Sequence, residues 1–142
     1  MYHSGQIRAL ALGFIRDGSR LFVSEGYDPT KQETFYRSLG GGIEFGESSD
    51  LALRREFQEE LNAELTNIRY LGCLENIFTY DGQTGHELIQ LYECEFIDGH
   101  FYQQERFEFT EGEHKKTALW IEKDRFKNGE LILYPDGILA YL

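Results

Sequence analysis

The sequence predicts an α+β fold, a mixed α/β sandwich with many strands around one strong helix. Three observations carry this: a near-continuous apolar run at residues 7–15, helix-periodic apolar positions between residues 50 and 61, and later strand-like runs broken by turn chemistry. The 142 residues suit one domain over 1–142. A chain of that size buries roughly 68–70% of its unfolded surface and needs no disulfide staples. At 41% hydrophobic and 15% aromatic, the composition excludes disorder. No linker, repeat or low-complexity tract interrupts it.

Residues 7–15 read as a strand buried on both faces. Turn chemistry at 16–20 and the resumption at Leu21, Phe22 and Val23 predict a hairpin. Residues 26–34, with Asp28-Pro29, read as an exposed loop. Residues 35–39 then lead into Gly40-Gly41-Gly42. Ser48 or Ser49 caps a helix from about Asp50 to Leu61, whose Leu53, Phe57 and Leu61 form a core-facing stripe. Strand-like runs follow at 68–80 and 87–97, joined by a hairpin loop at 81–85. Residues 101–109 alternate weakly, 117–121 are apolar, and 124–127 read as a helical turn. Pro135 opens a short C-terminal helix through Ile138, Leu139 and Tyr141.

The net charge is −11. That balance excludes unassisted binding to nucleic acid or to an anionic membrane, both of which need a basic footprint. It leaves phosphates available where a divalent cation bridges the like charges. Cys73 and Cys94 stand in isolated apolar settings and read as reduced core thiols of a cytosolic protein. No signal-peptide pattern or membrane-length apolar stretch is present, so the expectation is a soluble, cytoplasmic chain.

The chemistry concentrates between Gly41 and Ala63. Gly41 is followed after five residues by Glu47, and after seven more by Arg55-Glu56-Phe57-Gln58-Glu59-Glu60-Leu61-Asn62-Ala63. On a helix, Glu56, Glu59 and Glu60 stand at i, i+3 and i+4, fanning their carboxylates over about 100° of arc. Such a cluster repels itself unless a cation compensates, and hard oxygen ligands suit Mg²⁺, with Mn²⁺ as a substitute. The glycine run lets bare backbone approach a bound anion. Arg55 can hydrogen-bond Glu47 or another carboxylate to hold the loop against the helix.

This stretch resembles the Nudix box, G-x5-E-x7-R-E-U-x-E-E-x-G-U, where U is bulky and apolar. The resemblance implies an α/β/α sandwich around a mixed sheet, with the box as a loop-helix-loop. It also implies metal-dependent hydrolysis of a pyrophosphate bond in a nucleoside diphosphate linked to another group, by water attack at phosphorus. Carried over by position, Glu56, Glu59 and Glu60 are metal ligands, Glu47 is a further ligand or a support, and Glu56 is the first candidate for general base. A later loop supplies another acidic residue, with Glu111 and Glu113 the candidates and Glu113 the one assigned to the metal. Two positions depart from the box. Asn62 replaces the glycine that ends the helix, where Asn is the best non-Gly occupant of the left-handed conformation. Leu39 replaces a proline often found before the paired glycines.

Gly41, Gly42 and Arg37 are the candidates for holding substrate phosphate. Phe35, Tyr36, Phe78, Tyr80 and Trp120 can stack a nucleobase, and His86-Glu87 can touch substrate or extend the metal shell. The implied partner is a small-molecule nucleoside diphosphate derivative, with a homodimer left open. The competing reading is a catalytically silent nucleotide-binding module of the same fold. It is disfavoured because the box carboxylates are all retained. Isopentenyl diphosphate isomerisation is disfavoured because nothing marks Cys73 or Cys94 as reactive.

Overall fold

The computed structural model describes residues 5–142. In chain order the elements are β1 (Ile7–Phe14), a two-residue β2 (Arg16–Asp17), β3 (Arg20–Asp28), β4 (Glu33–Arg37), β5 (Leu39–Gly42), α1 (Ser49–Leu61), β6 (Leu65–Tyr80), β7 (Gln83–Phe96), β8 (Arg106–Glu111), β9 (His114–Glu122), α2 (Asp124–Lys127) and β10 (Leu133–Tyr134). Turns of 3-10 helix occupy Gly99–Tyr102 and Asp136–Tyr141.

The strands form two mixed sheets where one was expected. The first has order β5-β1-β7-β6, with β1 and β7 parallel. The second has order β10-β4-β3-β9-β8, with β10 and β4 parallel and β2 beside β3. Two stretches of chain serve both sheets through one residue each. Phe14 ends β1 in the first and Arg16 opens β2 in the second, with Ile15 between. Arg37 ends β4 in the second while Leu39 opens β5 in the first, with Ser38 between.

Alternation along β1 explains the layering. Leu10, Leu12 and Phe14 join Ile89, Leu91, Leu21 and Val23 in one core, which α2 closes with Phe126 and the C-terminal 3-10 turn closes with Ile138. Ala11 and Ile15 face the other core, where α1 contributes Ala52, Leu53 and Phe57. Helical layers thus cover the sheets on both sides. Leu61, the third residue of the expected stripe, is only half-buried.

Several local expectations change. The helix begins at Ser49 behind an extended Ser48, whose hydroxyl bonds Asp50 Oδ1 at 2.8 Å and not a backbone amide. Residues 26–34 are not a loop: Gly26 pairs with Phe35 and Tyr27 with Thr34, leaving only residues 29–32 as a turn. The Phe35 ring lies so close that a Cβ on Gly26 would stand 2.5 Å from it, and Phe78 covers Gly85 in the same way at 2.3 Å. Each glycine is a strand position filled by a neighbour's ring, which its polar surroundings concealed. The hairpin loop at 81–85 likewise contracts to Asp81-Gly82, with φ of 50° and 75°, the two-residue turn that suits strand twist. Residues 101–109 divide between the end of a 3-10 turn and β8. Cys94 is buried, but Cys73 is exposed on the edge strand β6, which corrects the expectation of two core thiols.

The turns at 29–32 and 81–82 are tied together. Asp28 is 2% exposed, and its Oδ1 accepts from the amides of Thr30 (3.0 Å), Lys31 (3.2 Å) and Asp81 (3.2 Å). Thr30 Oγ1 donates to Asp81 Oδ1 at 2.7 Å, and Tyr80 Oη donates to the Tyr27 carbonyl at 3.2 Å.

Candidate functional site

Backbone geometry sets the first part of the site. β5 pairs with β1 so that Gly41 faces Ala11. A Cβ at Gly41 would fall 2.4 Å from Cδ of Glu56. A glycine here leaves the carboxylate where it lies, close against the strand. The loop after Gly42 then returns through Glu47 to α1, which ends at Asn62 with φ 52°, the left-handed conformation expected there.

Arg55 holds loop and helix together. Its Nε donates to Glu47 Oε2 at 2.8 Å and its Nη2 to Glu47 Oε1 at 3.0 Å, a two-point grip. Nη2 also reaches the Gly42 carbonyl at 2.9 Å, while Nη1 donates to Glu56 Oε1 at 3.0 Å and lies 3.4 Å from both Glu59 oxygens. The Glu47 carboxylate takes a further bond from the Glu44 amide at 3.1 Å. Arg55 and that amide hold Glu47 below the usual carboxylate range. The same bonds raise the guanidinium's own pKa, Glu47 contributing most.

Behind this lies a second carboxyl group of opposite character. Burial, and then the charges of Glu111 and Glu56, push Glu60 up to about 9. Glu111, at the end of β8, comes within hydrogen-bonding reach of Glu60, while Glu60 Oε1 is buried with no hydrogen-bond partner among the described residues. Burial raises Glu56 as well, against the opposing pull of Arg55. Glu59 is more exposed and turns toward Arg55. Glu113 occupies the exposed turn between β8 and β9, two residues beyond the cluster.

Glu60 and Glu111 open onto a cavity of about 860 Å³ lined by both sheets. The inward face of the first sheet is apolar across two rows, Leu12 beside Leu91 and Leu10 beside Ile89. The next row is polar: Arg8, Glu87 and Asn76 stand side by side on β1, β7 and β6. Burial lowers Arg8, opposed chiefly by Glu87, and Glu111 and Glu56 also act on it. Arg37 Nη2 reaches Glu87 Oε1 at 3.6 Å from the second sheet. Charges therefore alternate from the box into the cavity, from carboxylate cluster to Arg8 to Glu87 to Arg37. Gly40, Gly41, Phe35, Phe78 and Tyr80 line the same cavity.

Gly42, whose carbonyl Arg55 holds, does not line the cavity, and three other sequence candidates also fall elsewhere. Trp120 is 3% exposed and bonds the Phe101 carbonyl at 2.7 Å. Tyr36 packs on Phe126 and donates to Glu25. His86 lies 3.0 Å from Glu75 Oε2 outside the main cavity. Conversely, Arg8 is a cavity residue with no sequence signal, because its partner Glu87 comes from a strand 79 positions away.

A family model, the NUDIX domain, matches residues 6–135. The chain belongs to the Nudix family. Hydrolysis of a pyrophosphate bond is that family's general chemistry. The fold agrees with a MutT NUDIX hydrolase from Burkholderia pseudomallei, at TM-score 0.61 and 20% identity over 84% of this chain and 85% of that one. A NUDIX hydrolase from Nitrosomonas europaea superimposes at TM-score 0.64 with 14% identity, over 95% and 85% of the two chains. The E. coli ORF135 protein gives TM-score 0.57 and 19% identity, over 94% and 84%. At these identities the likeness is one of fold. No curated protein matches the sequence.

Nudix hydrolases generally use divalent metal, and the donors here fit one. Glu60 keeps a buried oxygen with no hydrogen-bond partner among the described residues, near Glu56 and Glu111, and its negative charge is costly there unless a cation arrives. Among the described residues no trio of Asp, Glu, His or Cys is already gathered round one point. Self-repulsion and the pull of Arg55 on Glu59 account for that spread.

Proposed function

We propose that this Nudix protein is a Mg²⁺-dependent pyrophosphohydrolase of a small nucleoside diphosphate derivative, with water attacking phosphorus. The observation that carries the reading is the opening of Glu60 and Glu111 onto the cavity that Gly40, Gly41 and Arg37 also line. Carboxylates for a cation, bare backbone for phosphate oxygens and a guanidinium face one cavity. Glu56, Glu59, Glu60 and Glu111 would hold the ion, with Glu47 fixed by Arg55 as their support. When bound, a divalent ion neutralises phosphate oxygens and makes water a better nucleophile. Glu56 accepts the water's proton, its burial having raised its basicity. Arg55 keeps Glu56 pointed at the loop, and Arg37 orients the phosphate chain. With a net charge of −11, neither nucleic acid nor an anionic membrane is a partner. Among the described residues no helix is long and apolar enough to cross a membrane.

The test is product release from dNTPs, nucleotide-sugars, dinucleoside polyphosphates, ADP-ribose and NADH, with Mg²⁺, Mn²⁺ or EDTA. Turnover of one class that EDTA abolishes is the expected result. Nucleotide and metal binding without turnover would overturn it in favour of a silent binding module.

A further inference from the structure

Glu87 lies in the cavity but outside the box, and the proposed chemistry gives it no part. It is 4% exposed on β7, and a carboxylate that deep is costly unless cations face it. Two cations do so. Arg8 is its register partner on β1, and the Glu87 charge is the foremost of those that oppose the lowering of Arg8's pKa by burial. Arg37 reaches over from β4 in the other sheet, with Nη2 3.6 Å from Glu87 Oε1. The two guanidiniums repel each other, and the carboxylate offsets that repulsion.

At 3.6 Å the contact with Arg37 is ionic without being a hydrogen bond, and Oε1 has no hydrogen-bond partner among the described residues. Attraction therefore steers the Arg37 side chain while its N–H donors stay available to a ligand. Arg37 has no second ion pair among the described residues, and its side chain is 31% exposed on the cavity wall. A long side chain loses rotamer entropy when it grips an anion, and a fixed carboxylate beside it removes part of that loss beforehand. We infer that Glu87 is a positioning residue, which holds the Arg37 guanidinium in the orientation that grips the phosphate chain and itself touches no substrate. The inference rests on the proposed role of Arg37 and gives a purpose to the buried charge beside it. It also fixes a sign. Through its field alone an acid so placed weakens anion binding, so its removal would help; steering makes its removal harmful.

Calorimetry with methylenediphosphonate, a diphosphate analogue that water does not cleave, tests this in the presence of Mg²⁺. Wild type, Glu87→Gln, Arg37→Gln and the double variant are compared, each checked for folding by circular dichroism. Glu87→Gln and Arg37→Gln are each expected to bind about tenfold or more weakly than wild type, and the double variant no more weakly than Arg37→Gln alone. That non-additivity separates steering from a general loosening of the cavity, which would weaken binding whether or not Arg37 is present. Unchanged or tighter binding by a folded Glu87→Gln, or losses that add in the double variant, would overturn the inference. If Glu87→Gln does not fold, Glu87→Asp decides, since it keeps the charge one methylene further from Arg37. Weaker binding that disappears in an Arg37→Gln background is then expected, and an equal effect in both backgrounds, or none in either, overturns the inference. Hydrolysis is assayed separately. Failure of wild type to bind the analogue sinks the reading of this cavity as a diphosphate site and the inference with it. Coupled binding without metal-dependent turnover sinks only the enzymatic reading.

Discussion

Single atoms decide much of the site. A Cβ at Gly41 would displace the Glu56 carboxylate from where it now lies. Gly41→Ala is expected to displace the Glu56 carboxylate and to lower turnover, while stability changes by less than about 1 kcal/mol because the displaced atoms are the movable end of a flexible side chain; urea unfolding and turnover measure the two effects. Glu60→Gln removes a buried charge that a cation would need, and turnover is expected to fall about 10²-fold or more. Wild-type rates in that variant would remove Glu60 from the chemistry. The box is legible in the sequence alone as a family motif, because its residue types and spacing fall within one short segment. Arg8 and Glu87 are not legible as a pair, since only parallel pairing of β1 with β7 brings them together. Between Glu111 and Glu113 local sequence offers no choice. The turn at Gly112 leaves Glu111 on the strand and Glu113 at its tip.

At the scale of elements, the helix was legible to within one residue at its start. The serines before it, the buried Leu53 and Phe57 and the terminal Asn62 mark its extent, although Ser48 makes no capping bond and Leu61 is only half-buried. The strands around the cavity were less so. Gly26, Glu33 and Thr34 read as loop, yet pairing with a neighbour and a covering phenyl ring make them strand. Tertiary packing overrode local propensity there. Asn62 bears the left-handed conformation at a cost that glycine avoids. Asn62→Gly is expected to raise stability by about 0.5 kcal/mol, a shift of a degree or two in thermal unfolding. Loss of stability instead would mean that the side-chain bond from Gln58 to Asn62 outweighs the backbone strain. Asp28→Ala would leave three turn amides without their common acceptor, and a loss of about 2–3 kcal/mol is expected by denaturant titration.

Across the whole molecule the two thiols behave oppositely. Burial pushes Cys94 up to about 12, whereas Cys73 is exposed. A thiol reagent at neutral pH is expected to label one cysteine in the folded protein and both after denaturation. The raised pKa makes Cys94 favour the native state below about pH 9, where the thiol is neutral folded or unfolded. Above that the unfolded chain loses its proton first. Stability should therefore fall between about pH 9 and 12, by at most about 1.4 kcal/mol per pH unit from this group. Cys94→Ala should flatten that slope whatever its effect on absolute stability. The layered fold and its helix followed from composition and periodicity, but the division into two sheets did not. It depends on where the chain passes from one sheet to the other, at Ile15, at Ser38 and between β7 and β8, and neither Ile15 nor Ser38 carries a local mark. The bonds that Asp28 makes to both turns have a bearing on how such a protein could be retooled. The walls of the cavity ride on two hairpins whose tips share one acceptor, so neither hairpin is an independent cassette. Transplanting one alone from a relative would strip its partner of a hydrogen bond, and ligand preference is inherited only when both tips travel together.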